Sequence, residues 1–153
     1  MYPIPDKLPF EVWLCRYYPD ETYIPSDYLL CCVVSGNPEV IIDNITYGLH
    51  EGDIILIQPE EAYGIRSNED FLVCVLRMEF YFMVRCCDYE RPSFLETPQK
   101  RILSANITPE LRHLLREKIY FLADIFFEEP KIGTARQTYY FYDFAYFFIE
   151  NFR

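Results

Sequence analysis

The sequence predicts a single domain that is mainly β over its first two thirds, built as a sandwich or barrel of short strands, and helical at its C-terminal end. Three observations predict it. Between Phe10 and Glu79, β-branched and aromatic runs of four to nine residues alternate with clusters of turn-forming residues. From Thr108 onward, apolar residues recur at helical spacing. The length of 153 residues, 51% of them hydrophobic, is enough to fill one core.

Taken in order, residues Met1 to Pro9 contain three prolines and read as an extended arm placed to cover one end of the strands. Candidate strands are Phe10 to Arg16, Tyr28 to Val34, Glu39 to Ile42, Thr46 to Leu49, Ile54 to Ile57, Tyr63 to Ser67 and Phe71 to Glu79. Between them, Ser35-Gly36-Asn37-Pro38, Asp43-Asn44, Glu51-Gly52-Asp53, Pro59-Glu60-Glu61 and Ser67-Asn68-Glu69-Asp70 supply residues that bend the chain or accept a positive φ. Closure of such strands on themselves protects their edges.

Thr108-Pro109-Glu110 then places an N-cap, a first-turn proline and a carboxylate at the positive end of a helix. Leu111, Leu114, Leu115, Ile119, Leu122, Ile125 and Phe126 follow at helical spacing, and Glu128-Glu129-Pro130 ends the run. A second helix is predicted from about Thr134 to the C-terminus. It is aromatic on nearly every side, with Arg136, Asp143 and Glu150 spaced seven apart as a narrow polar stripe. One face of a barrel is too small to cover it. The choice lies between a core helix wedged against the strands and a homodimer interface, and the homodimer is favoured, with Tyr139, Tyr142, Tyr146 and Ile149 at the contact. The expected units are 1–107 for the strands and arm and 108–153 for the helical dimerisation element.

Charge narrows the function. Fourteen basic against twenty-four acidic residues give a net charge of −10, which repels phosphate backbones, so nucleic acid is not a direct partner of this chain. No stretch approaches the roughly 18 apolar residues of a membrane span, and the N-terminus lacks the basic start and apolar block of an export signal. No membrane partner and a cytoplasmic location are expected. The six cysteines include the adjacent pairs Cys31-Cys32 and Cys86-Cys87 and no Cys-x-x-Cys spacing, as for reduced, mostly buried thiols.

Val34-Ser35-Gly36, Gly52-Asp53-Ile54-Ile55-Leu56-Ile57 and Pro59-Glu60-Glu61, in that order and spacing, resemble the N-terminal sensor domain of AraC-family transcription regulators. The two helices that follow extend the likeness to about residues 10 to 153. The resemblance implies a cupin-like β-barrel that binds a small effector, a helical dimerisation element, and a helix-turn-helix domain that contacts DNA. That last domain is absent from this chain, which is therefore expected to be the sensor part of a longer regulator.

Metal-dependent cupins use a His-x-His pair with a glutamate and a second-motif histidine, a compact N/O site. Here Tyr23 to Asp27 holds no histidine, and Tyr63 stands after Pro59-Glu60-Glu61-Ala62. His50 falls in a turn and His113 on the first helix, both expected to be exposed. Neither a metal nor a cofactor is expected. With no nucleophile elbow, phosphate loop or histidine beside a cysteine, catalysis is not expected either. By the resemblance, Arg77 lies where effector-contacting side chains point inward, and its planar fork suits a carboxylate, a phosphate or sugar hydroxyls. Trp13 offers a stacking face, and Tyr23 and Tyr63 offer hydroxyl donors. The predicted role is an effector-sensing, dimer-forming domain that binds a sugar or other small polar metabolite. A free-standing, metal-independent cupin enzyme acting on a sugar is the alternative.

Overall fold

The computed structural model describes residues 9–16, 21–87, 101–105, 107–128, 131 and 133–152. Seven strands, β1 Phe10–Cys15, β2 Tyr28–Ser35, β3 Glu39–Ile42, β4 Ile45–Gly48, β5 Ile54–Ile57, β6 Tyr63–Arg66 and β7 Leu72–Met78, are followed by helices α1 Phe80–Cys86, α2 Pro109–Glu128 and α3 Ala135–Phe152. All seven predicted strands and both long helices are present. Helix α1 and a 3-10 turn at Leu103–Ala105 are additional. Most of the expected arm, residues 1–8, lies outside the described residues.

The strands form two antiparallel sheets, a four-stranded one in the order β1-β7-β2-β5 and a three-stranded one in the order β4-β3-β6. Among the described residues these are not paired into a closed barrel. The two sheets face each other instead, and the fold is mostly β followed by C-terminal helices. The turns behave as their residues require. Asp43 (φ 49°) and Asn44 (φ 68°) make the two-residue hairpin between β3 and β4, which needs two positive φ values. Gly36 (φ 85°) sits where a Cβ would lie 2.6 Å from the carbonyl oxygen of Asp70, so only glycine fits.

The four-stranded sheet is buried on both faces. Towards the small sheet, Leu29, Cys31, Val33, Ile55, Ile57, Val73 and Val75 pack with Val40, Ile42, Tyr63 and Ile65. On the opposite face, Phe10, Leu30, Cys32, Ile54, Leu56, Cys74, Leu76 and Met78 pack against Leu115, Ile119 and Leu122 of α2 and Phe141, Phe144 and Phe148 of α3. The ring of Phe10 is stacked on Phe141 at 3.8 Å and meets the edge of Phe126 at 5.2 Å, so one strand residue touches both long helices. Sheet strands buried on two faces read as continuous apolar runs, which is why Tyr28 to Val34 shows no alternation.

The two long helices begin as their capping residues direct. The Thr108 hydroxyl accepts from Leu111 N (3.2 Å) to open α2. At α3, Thr134 accepts from Gln137 N (3.2 Å), and the buried Gln137 side chain accepts from Gly133 N (2.8 Å) and donates to the Lys131 carbonyl (3.1 Å). The aromatic residues of α3 divide by the side of the helix they occupy, with Tyr140 and Phe147 half-buried against the core. Phe141, Phe144 and Phe148 are buried, while Tyr139, Tyr142 and Tyr146 are 66%, 51% and 67% exposed. Ile149, grouped with these tyrosines on sequence, is half-buried against the core.

All six cysteines are free thiols, with Cys31, Cys32, Cys74 and Cys87 buried. Burial pushes the Cys31 and Cys74 thiols from 9.0 up to about 12. Because the folded-state values are the raised ones, their contribution to stability is complete below pH 9 and is lost as pH rises towards 12, where the unfolded chain ionises first. Urea midpoints are expected to fall between pH 9 and 11, and to fall less in a Cys31→Val/Cys74→Val variant. Equal slopes in the two proteins would contradict it.

Candidate functional site

The four predicted effector-contacting residues occur as two pairs. Trp13 is opposite Val75 across β1 and β7, and Arg77 lies two residues further along β7, opposite Glu11. Trp13 and Arg77 are therefore diagonal neighbours on the face of the large sheet that looks towards the small one. Tyr23 and Tyr63 exchange two backbone hydrogen bonds (2.7 and 2.8 Å) at the edge of the small sheet, and their rings are 5.7 Å apart. Trp13, Tyr23 and Tyr63 all pack against the inter-sheet core.

Among the described residues, apolar side chains from both sheets pack together in the space between them. Polar chemistry gathers at the end of the sheets. Arg77 Nη1 donates to Asp27 Oδ2 at 2.9 Å, and Arg77 Nε lies 3.4 Å from Glu11 Oε2. The Arg77 and Asp27 side chains are mostly buried, whereas Glu11 is exposed. The second Asp27 oxygen accepts from the backbone N–H of Phe80 at 2.9 Å. Beside this network, Ser26, Asp27, Pro59, Glu60, Phe80 and Tyr81 line a groove of about 570 Å³. Glu60 there holds a φ of 67°, a conformation a side chain seldom adopts.

A second polar centre went unread in the sequence. Glu61, expected as a turn residue, is bidentate to Arg101, with both oxygens 2.6 Å from the guanidinium nitrogens. Glu61 also accepts from Gln58 N (2.7 Å), and Arg101 lies over the Tyr47 ring at 5.8 Å. Burial works against the Arg101 charge, but the hydrogen bonds and charge of Glu61 outweigh it and hold its pKa above the usual value. The same segment covers the edge of β5: Arg101 O accepts from Leu56 N (3.1 Å), and Ser104 Oγ accepts from Ile54 N (3.1 Å). Arg101 and Glu61 are forty residues apart, so no spacing signal was there to read.

A divalent cation of the cupin kind does not fit this donor set. Tyr63 and Tyr23 pack against each other where imidazoles would be needed, and Glu61 is committed to Arg101. Among the described residues, no group of three His, Cys, Asp or Glu side chains is placed to hold a metal ion. His50 and His113 are exposed; His50 Nδ1 is 3.2 Å from Asn37, and His113 pairs with Glu117 one helical turn on. Among the described residues, no helix is long and apolar enough to cross a membrane.

Removing one partner of a buried ion pair costs about 3–5 kcal/mol, against about 1 kcal/mol or less at the surface. Glu61→Ala is therefore expected to lower stability several-fold more than Glu39→Ala, whose 2.8 Å pair with Arg66 is exposed. Urea unfolding of the two variants checks this, and equal losses would contradict the buried pair.

The sequence matches no protein-family model and no curated protein. Solved structures do match. Apo ToxT from Vibrio cholerae, an AraC-family regulator, is 15% identical, with a TM-score of 0.54 over 95% of this chain and 55% of its own. The Schizosaccharomyces pombe Cnp3 cupin domain is 10% identical, with a TM-score of 0.46 over 56% of this chain and 66% of its own. A cupin superfamily protein from Desulfitobacterium hafniense is 12% identical, with a TM-score of 0.43 over 49% of this chain and 72% of its own. Over most of its length the chain is similar in fold to the AraC-family regulator ToxT.

Proposed function

We propose that this chain is the effector-sensing and self-associating domain of an AraC-type transcription regulator. It binds a small polar metabolite at the Arg77 end of the sheets, leaves it chemically unchanged, and pairs with a second copy through the tyrosine face of α3. Contacts with DNA belong to a domain outside this chain. The observation that carries the reading is the likeness to ToxT over 95% of the chain, helices included, on top of the motif resemblance.

The charges around Arg77 favour a guest rich in hydroxyl groups. Asp27 and Glu11 already face the guanidinium, and Glu60 lines the adjoining groove. A free anion entering there meets surplus negative charge, whereas the hydroxyls of a sugar exchange hydrogen bonds without that penalty. Trp13, diagonal to Arg77, adds an apolar face for stacking, and Tyr23 and Tyr63 are the further candidate contacts.

Thermal melts across a panel of sugars, polyols and anionic metabolites test the sensing role. A true effector at a hundredfold excess over its Kd raises Tm by about 5–10 °C, and Arg77→Ala removes the shift. A panel with no stabilising compound, a shift that survives Arg77→Ala, or turnover of any panel member contradicts the reading. Self-association is checked by light scattering: twice 18.4 kDa at micromolar concentration is expected, reverting to 18.4 kDa in Tyr142→Glu/Tyr146→Glu. Wild-type protein at 18.4 kDa rejects the interface.

A further inference from the structure

We infer that Asp27 is a latch that couples the Arg77 end of the sheets to the exposed face of α3 through helix α1. Two observations assemble it. Asp27 divides its two oxygens, one to Arg77 Nη1 on β7 and one to Phe80 N at the start of α1, each at 2.9 Å. Glu79, the residue at the N-cap position of α1, makes no side-chain cap hydrogen bond. The capping acceptor that a helix start needs is thus supplied from 53 residues away, by the same carboxylate that neutralises Arg77.

From there, packing carries the connection onward. Phe80 is stacked on Tyr28 at 6.0 Å, which seats the first turn of α1 on β2. Phe82, two residues on, is buried and lies 5.2 Å from both Phe141 and Tyr142 of α3. Phe141 is the ring on which Phe10 stacks, and Tyr142 belongs to the exposed tyrosine face. A short helix of seven residues has little stability of its own, so its placement depends on these end contacts.

A guest that draws Arg77 away from Asp27, or draws Asp27 away from Phe80, therefore alters the footing of α1 and with it the surroundings of Tyr142. A shift of this kind is limited by the guest's differential affinity for the two arrangements. The regulatory meaning of the latch rests on the sensing role proposed above; the mechanical link does not.

Amide hydrogen exchange on the full chain tests it without effector or DNA. Asp27→Ala is expected to speed exchange of the α1 amides and of the α3 turn around Tyr142 by roughly fivefold, the loss typical of a helix cap. Asp27→Asn keeps an oxygen for Phe80 N but not the charge opposite Arg77, and is expected to give a smaller change at the same places. Glu11→Gln, which touches Arg77 but not α1, is expected to leave both segments unchanged. Unaltered α1 exchange in Asp27→Ala, faster exchange in α1 without α3, or an equal rise across β3 and β6 would each overturn the latch. If Asp27→Ala does not fold, the contrast between Asp27→Asn and Glu11→Gln decides the question. Failure here leaves the sensing role standing, and a silent metabolite panel leaves the latch standing.

Discussion

The four-stranded sheet has no face in water, and the rest of the molecule follows from that. A sheet covered on one side alternates apolar and polar residues; one covered on both cannot. The runs Tyr28 to Val34, Ile54 to Ile57 and Val73 to Leu76 are apolar throughout because each residue meets one of two cores. The inter-sheet core is closed by the small sheet, and the other requires α2 and α3. The helices are therefore part of the same packed unit as the strands, and the phenylalanines of α3 complete a core that begins at Phe10.

With both faces dry, charged groups are confined to the sheet's ends and edges, where they are paired. Arg77 is met by Asp27 and Glu11, and Arg101 by Glu61. The two arrangements differ in purpose. Arg101 and Glu61 are closely matched, buried and committed to holding the segment that seals β5. Asp27, paired with Arg77, lines a groove and has a second duty at α1. A network that meets both solvent-filled space and a helix start is suited to recognition, whereas the matched pair is suited to holding the fold.

Much of this was legible in the sequence wherever the cause is local. Strand runs, the Asp43-Asn44 hairpin, the Ser35-Gly36 turn, and the Thr108 and Thr134 helix starts are each set by residues within a few positions of one another, and all occur as read. Helix α1 was not legible: Phe80-Tyr81-Phe82-Met83-Val84 has strand-forming composition and too few residues to show a helical period. Its start relies on Asp27, which no local pattern announces. The Glu61–Arg101 pair was missed for the same reason. Of the sandwich or barrel that the strand pattern allows, the described residues form two facing sheets, with residues 101–105 covering the edge of β5. The α3 helix reads as apolar all round when tyrosine is counted with phenylalanine; in space Phe141, Phe144 and Phe148 occupy the buried side, Tyr140 packs against the core, and Tyr139, Tyr142 and Tyr146 form the exposed side.

The central claim is that sheets and helices are one cooperative body, so that an event at the Arg77 end is felt on α3. The most direct test is the fold of residues 1–107 prepared without α2 and α3. That piece leaves Phe10, Leu30, Leu56, Leu76 and Met78 uncovered, and the account predicts that it lacks near-ultraviolet dichroism and dispersed amide resonances. A monomeric 1–107 that unfolds in a single sharp transition, with native-like spectra, would contradict it.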